Sequence, residues 1–446
     1  MAAPHPVGAL FTDLYEVTMA QAFVAQGMSG TAVFEAFFRR LPPRRSYVLA
    51  AGLQDLLDFL EAFRFEPEEV EYLRGLGLFS DAFLRRLSRL RFTGDVWALP
   101  EGTAVFPNEP LVQVIAPIVE AQLVETFVLN QLHLQSVIAS KAARIVEAAR
   151  GRAVVDFGSR HAHGTDAALK AARASYLAGA AGTSNLMAAR CYGIPAFGTM
   201  GHSFVQAFES ELAAFAAFAG LYPGTTLLVD TYDTLRGIDR VSELARQFGE
   251  RFDVRAVRLD SGDLAALSRA ARSRLDAAGL DRVQVFVSSD LDEHSIAALV
   301  AADSPIDGFG VGTRLALAED APSLDMAYKL VSYRGAGRTK LSADKAIYPG
   351  RKQIFRRAEQ GYFRGDTIGQ HEEGLPGEPL LVPVMKNGVR VPRSDRSLHE
   401  VRRRVSEQVG ALPPELRSIE SDGPSYPLSV SDRTTNQLDE LRRASR

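Results

Sequence analysis

His202 lies in the segment Thr199-Met200-Gly201-His202-Ser203, directly after a short apolar run. Imidazole is the side chain whose proton exchanges near neutrality, and Gly201 gives it freedom to point into a cleft. A lone histidine is also a common structural residue, and spacing alone does not separate the two. No HExxH and no Ser–His–Asp order accompanies it. His161 and His163 stand two apart, a spacing a metal could use, but without a cysteine or carboxylate at a familiar offset packing at a helix entry is favoured. Arg160, Arg258 and Arg314 are suited to carboxylate and phosphate groups. Asp230, Asp233, Asp260, Asp263, Asp290 and Asp292 are candidates to hold Mg²⁺, which reaches proteins through one or two carboxylates plus substrate phosphates. Residues 308–313, GFGVGT, put glycines and a hydroxyl before a helix, where backbone N–H groups cradle phosphate. A tight turn explains those glycines equally well. A rim that is both acidic and basic suggests a phosphorylated, metal-bound substrate.

These residues recur at one place in a rhythm. Short apolar runs at 153–157, 194–198, 226–230, 254–260, 283–289 and 307–311 alternate with helical segments, and 177–181 is a candidate seventh run. Alternation of this kind gives βαβ units and a parallel sheet. Six or seven units favour an α/β barrel over an open doubly wound sheet. The polar residues follow the strands, where barrel loops build active sites. The expected fold is an incomplete α/β (TIM-like) barrel over 151–325. Residues 1–150 and 326–446 are expected to form a β-rich domain around it. In that domain 12–27 reads as a helix capped by Thr12 or Asp13 and closed by Gly27, 31–40 as a strand, and 53–63 as a helix. Residues 94–118 read as short strands, and 119–149 as one long helix. The last fifty residues are charged and Pro-interrupted, without a clear core pattern.

The whole chain, 446 residues with 46% hydrophobic side chains, is long enough for a large core. A single cysteine, Cys191, excludes an internal disulfide and a four-Cys zinc site, and reads as a buried apolar residue. A net charge of −3 argues against nucleic acid as a partner. No apolar run approaches the ~18 residues that span a bilayer, and residues 1–12 lack the pattern of a signal peptide, so no membrane partner and a cytoplasmic location are expected. Tyr15 reads as a surface or interface aromatic, Trp97 as core, and 402–404 as a solvated helix face.

The motifs together are specific. DLYEVTMAQAF, PEGTAVFPNEPLVQV, VDFGSRHAHG, AGTSNLMAARCYGIPAFGTMGHSFVQAF, LLVDTYDT, VRLDSGDL, DGFGVGTRL and YKLVSY…KAIYPGRKQIFR occur in order over most of the chain. In this the sequence resembles the nicotinate phosphoribosyltransferase family. The resemblance implies formation of nicotinate mononucleotide and diphosphate from nicotinate and 5-phosphoribosyl 1-diphosphate, with coupled ATP hydrolysis. It implies that His202 becomes a phosphohistidine, and that an open-faced β sandwich lies beside the barrel. It further implies a homodimer with shared sites, in which Tyr15 reaches the partner's substrate. Mg²⁺ is expected, ATP as co-substrate, and no organic prosthetic group.

Under this resemblance His202 and Asp260 are the catalytic candidates. Asp260 would hold ribose hydroxyls or the metal. Arg160 and Arg258 would meet the nicotinate carboxylate and the diphosphate, and Phe157 would stack on the pyridine opposite Tyr15. Thr199 and Ser203 flank His202 as substrate-binding candidates. Gly310, Gly312 and Thr313 would take the 5′-phosphate. His161 stands where many relatives carry a second arginine, which weakens a two-arginine clamp. The alternatives are nicotinamide phosphoribosyltransferase, which differs by one charge on the base, and a non-catalytic nucleotide-binding barrel, which would be expected to lose these loop residues. Quinolinate phosphoribosyltransferase fits less well, since its chains are shorter and its reaction needs no phosphohistidine.

Overall fold

The computed structural model describes residues 7–341, 347–392, 397–419 and 424–445. The chain divides into two compact units, Lys141–Pro322 and a second built from Met1–Ser140 with Ser323–Arg446.

The Lys141–Pro322 unit is a curled, parallel half-barrel. Its strands are β1 (Ala153–Asp156), β2 (Gly182–Thr183), β3 (Thr225–Leu228), β4 (Val254–Leu259), β5 (Gln284–Ser289) and β6 (Gly308–Val311). They lie in the order β2-β1-β6-β5-β4-β3, every pair parallel. Val154, Val155, Leu227, Leu228, Val257, Leu259, Val285, Val287, Phe309 and Val311 are buried, the near-continuous apolar runs expected of strands covered on both faces. The run at 194–198 forms no strand; Ala196 makes a single bridge to Thr183. The candidate run at 177–181 is also displaced. Leu177 ends helix Thr165–Leu177, and the short strand starts at Gly182. The intervening helices carry one apolar stripe each. In Thr234–Phe248 the buried positions Ile238, Val241 and Leu244 recur three apart. Within this unit, Lys141 pairs with Glu293 and, at 2.7 Å, with Asp320, while Arg144 reaches Glu293 at 2.9 Å. Glu293 is fully buried, and the two cations keep its carboxyl below its usual range against the opposing pull of burial.

The second unit is β-rich. Thr31–Phe38 is paired antiparallel with Met326–Tyr333 on one side and Val112–Pro117 on the other, within a seven-stranded sheet. A four-stranded sheet is centred on Lys352–Glu359 and Tyr362–Gln370. Helix Leu14–Ala25 follows Asp13 and is closed by Gly27 at φ 65°, as expected, although the Asp13 carboxylate accepts from Thr126 rather than capping the helix. The single helix expected over 119–149 is two, Ile118–Leu123 and Glu125–Ala148, separated at Val124. Trp97 is half-buried beneath the Arg351 guanidinium, 4.6 Å from its ring, rather than in the core. The last fifty residues do pack: helices Leu398–Gly410 and Asp432–Ala444 bury Val401, Val405 and Leu438, and Leu428–Val430 adds a strand beside Asp366–Ile368. No helix among the described residues is long and apolar enough to cross a membrane.

Candidate active site

The polar residues after the strands divide by what holds them. Asp233, Asp263 and Asp292 are helix N-caps: each side chain accepts from the backbone N–H three residues on, at 2.8, 3.0 and 2.8 Å. Asp290 is paired with Arg314 at 2.6 Å, and Arg314 also faces Asp292 and Glu319. Of the six carboxylates expected to compete for a metal, Asp230 and Asp260 remain. One Asp230 oxygen accepts from the Asp260 backbone N–H at 2.8 Å and from the Ser261 hydroxyl at 2.7 Å. Its other oxygen, Oδ1, is buried without a partner. Among the described residues no three His, Cys, Asp or Glu side chains gather to ligate a metal ion. A divalent cation here would take two carboxylates and complete its shell from substrate and water, the usual way for Mg²⁺.

His202 opens the short helix His202–Gln206, so its ring projects from the end of a turn rather than from a packed face. Nδ1 lies 3.2 Å from the Thr231 hydroxyl and Nε2 lies 3.7 Å from Asp260 Oδ2. The other Asp260 oxygen accepts from the Ser288 hydroxyl. One chain of polar groups therefore runs from Thr231 after β3, through the imidazole and Asp260 after β4, to Ser288 in β5.

Phe157, Arg160, Thr199 and Arg258 line one cavity of about 330 Å³, a size suited to a small ligand. Arg258 donates to Thr199 Oγ1 at 2.8 Å and to the Met200 carbonyl at 3.3 Å, so it fixes the loop that carries His202. Its Nε is buried without a partner. Burial lowers the proton affinity of this guanidinium, Asp260 and Asp230 oppose that effect, and Arg160 adds repulsion. Two arginines close enough to repel, on the wall of one cavity, form a site for an anion.

Gly310 is set apart from Gly312 and Thr313 by its place in the sheet. It lies inside β6, paired with Ser288 on one side and Val155 on the other. A Cβ there would stand 2.4 Å from the Phe157 ring, and one at Gly308 would stand 2.9 Å from Phe286. The two glycines make room for two aromatic rings, whose centroids are 6.1 Å apart. Gly312 and Thr313 do sit at the start of a helix, Thr313–Leu317, and Thr313 contacts His161 Nδ1. Ser203 is exposed next to His202, and Cys191 is half-buried rather than core. Tyr15 belongs to the β-rich unit. It is 47% exposed, and partial burial together with the nearby Glu125, Glu16 and Asp13 carboxylates raises its pKa.

Two residues of the half-barrel site escaped sequence reasoning. Asp156 is buried, accepts from Thr183 Oγ1 at 2.7 Å and from the Gly158 N–H at 2.8 Å, and holds the turn that presents Phe157 and Arg160. Burial raises its pKa. Glu211, at the start of helix Glu211–Leu221, buries one unpartnered oxygen, Oε1. Its pKa is pushed up to about 7, mainly by burial, with Asp233 and Asp230 adding and Arg240 opposing. An aspartate inside an apolar run and a glutamate opening a helix gave no local signal of either role.

Two family models match the chain: the nicotinate phosphoribosyltransferase N-terminal domain over residues 10–133, and the nicotinate phosphoribosyltransferase family over residues 153–339. A nicotinate phosphoribosyltransferase of Mycobacterium tuberculosis is 70% identical over 444 residues, covering 100% of this chain and 96% of its own. One from Bacillus subtilis is 42% identical, covering 83% of this chain and 78% of its own. The crystal structure of human nicotinic acid phosphoribosyltransferase superposes with a TM-score of 0.85 at 30% identity, over 96% of this chain and 99% of that one.

Proposed function

The chain belongs to the nicotinate phosphoribosyltransferase family, and from that premise we propose how its half-barrel carries out the transfer and couples it to ATP. The pyridine nitrogen of nicotinate attacks the anomeric carbon of 5-phosphoribosyl 1-diphosphate. The bond to the diphosphate oxygen breaks and positive charge spreads over the ribose. The nitrogen already holds a free electron pair, so no general base is needed. The protein must position two anions and stabilise charge.

The single observation that carries this reading is the cavity walled by Phe157, Arg160 and Arg258, with the His202–Asp260 pair on the loops around it. Phe157 offers its ring to the pyridine, and Arg160 its guanidinium to the carboxylate or diphosphate. Arg258 keeps Thr199 and Met200 in place and so sets where His202 stands. Thr199 and Ser203 flank the diphosphate, while Gly312 and Thr313 take the 5′-phosphate at a helix start. Asp260 faces the ribose hydroxyls. The unpartnered Asp230 oxygen and Asp260 together fit Mg²⁺, which when bound supplies charge neutralisation for the departing diphosphate.

In the coupled step the γ-phosphoryl group of ATP passes to an imidazole nitrogen of His202, ADP leaves, and water later releases phosphate. While the phosphoryl group is present, a further anion stands by the diphosphate site and changes its affinity. Tyr15, half-exposed and near Glu125, is the ring that a second copy in a homodimer would lay over the substrate. The two larger sheets of the β-rich unit are read as the open-faced sandwich of the family.

The test is phosphoryl labelling. Incubation with γ-³²P-ATP should give an acid-labile, base-stable label on the wild type and none on His202→Ala. Equal labelling of both would remove His202 from the coupling step.

A further inference from the structure

The β-rich unit gathers four arginines around one concavity. Helix Asp81–Leu87 has Arg85 and Arg86 in its last turn, and the chain leaving it adds Arg89 and Arg91. They line a cleft of about 750 Å³ together with Val24, Ala82 and Leu90, which give it a short apolar strip.

Local structure accounts for only part of this charge. Cations in the last turn complement a helix dipole, which covers Arg85 and Arg86 but not Arg89 and Arg91. Arg91 donates to the Leu90 carbonyl at 2.6 Å. None of the four guanidinium groups forms an ion pair among the described residues. Arg74, on the preceding helix Pro67–Gly75, shows the contrast, since it is paired with both Glu71 and Asp81. The carboxylate lining the cleft is Glu120. Its oxygens are taken by the Thr93 N–H at 2.7 Å and the Thr93 hydroxyl at 3.0 and 3.1 Å, and Arg86 acts on it only through space. Four like charges lining one hollow repel one another, and an anion in the hollow reverses the sign of that interaction. Arginine offers paired donors that match phosphate oxygens, and several in one wall favour a ligand with more than one phosphate. The volume is that of a small-molecule site, and the apolar strip leaves a place for an uncharged group.

We propose that this cleft binds a small molecule bearing two or more phosphate groups, through Arg85, Arg86, Arg89 and Arg91. The substrate cavity of the half-barrel plays no part in the assignment, which stands independently of the proposed mechanism.

The experiment is calorimetric titration of the full chain with tripolyphosphate at low salt, with saturating nicotinate mononucleotide and no added diphosphate, which itself belongs to the proposed ligand class. The wild type should bind about one equivalent per chain beyond any taken up by the half-barrel. Arg86→Ser/Arg89→Ser should weaken that binding at least tenfold and leave kcat for mononucleotide formation unchanged, which also shows that the variant is folded. Arg74→Ser, which removes an arginine already paired, should bind as the wild type does. Absence of binding to the wild type would overturn the proposal. So would undiminished binding by the double variant, or equal weakening by Arg74→Ser, which would make the effect one of diffuse surface charge.

Discussion

Glu211, at the start of its helix, and Asp230, after β3, each bury a carboxylate oxygen that meets no partner. Burial pushes the Glu211 pKa up to about 7. A carboxyl whose folded pKa lies above its unfolded value contributes its stability at low pH and loses it as pH rises through the folded value. The window here runs from about 4.5 to about 7. Glu211→Gln should therefore match the wild type at pH 4.5 and be more stable at pH 8. Because the group is partly open to solvent, the gain is about 1 kcal/mol rather than the full linkage value. Denaturant midpoints at the two pH values measure it. Gly310→Ala acts on the substrate wall instead. The added methyl group drives the Phe157 ring toward the cavity, so KM for nicotinate should rise several-fold while KM for 5-phosphoribosyl 1-diphosphate moves little. Initial rates with each substrate varied in turn would show the split. His202, Arg160 and Arg258 stood out as candidates because histidine and arginine carry their chemistry in their type, and the structure places both arginines on one cavity wall. Glu211 did not, since its behaviour comes from burial, which residue type does not encode.

At the scale of the element, the aspartates after the strands do two different jobs. Asp233, Asp263 and Asp292 start helices, whereas Asp230 accepts from the Asp260 N–H and Asp260 stands beside His202, the two carboxylates assigned to the proposed reaction. Asp292→Ala should cost about 1 kcal/mol of stability and leave kcat within a factor of two. Asp260→Asn should leave stability nearly unchanged and lower kcat by about 100-fold or more. Thermal unfolding together with steady-state rates separates the two classes. From sequence these residues looked alike, because an N-cap and a site carboxylate both occupy the turn after a strand. The alternation of runs located five strands of the half-barrel, and burial of both sheet faces explains why it did. It misplaced the edge, where Gly182–Thr183 is only two residues long and 194–198 makes one bridge, because an edge strand needs no apolar run. The C-terminal helices were missed for a related reason. Each buries only two side chains, too few to show a period among so many charges.

The whole molecule depends on contacts that no local pattern reveals. The β-rich unit is made from both ends of the chain, and Glu35 pairs with Lys352 at 2.6 Å, with both side chains almost fully buried. Burial depresses the Lys352 pKa while Glu35 supports its charge, so each group depends on the other. Glu35→Ala leaves a buried ammonium group without its counter-charge and should cost about 3–5 kcal/mol. Chemical denaturation checks this, and a change below 1 kcal/mol would mean that Lys352 is satisfied by the Tyr348 and Gly350 carbonyls alone.

The most direct test of the central claim is mononucleotide formation from nicotinate or nicotinamide and 5-phosphoribosyl 1-diphosphate, with and without ATP, by the wild type and His202→Ala. The expected result is product from nicotinate, enhanced by ATP in the wild type and indifferent to ATP in the variant. An ATP effect that survives in His202→Ala, or product from nicotinamide in place of nicotinate, would contradict it.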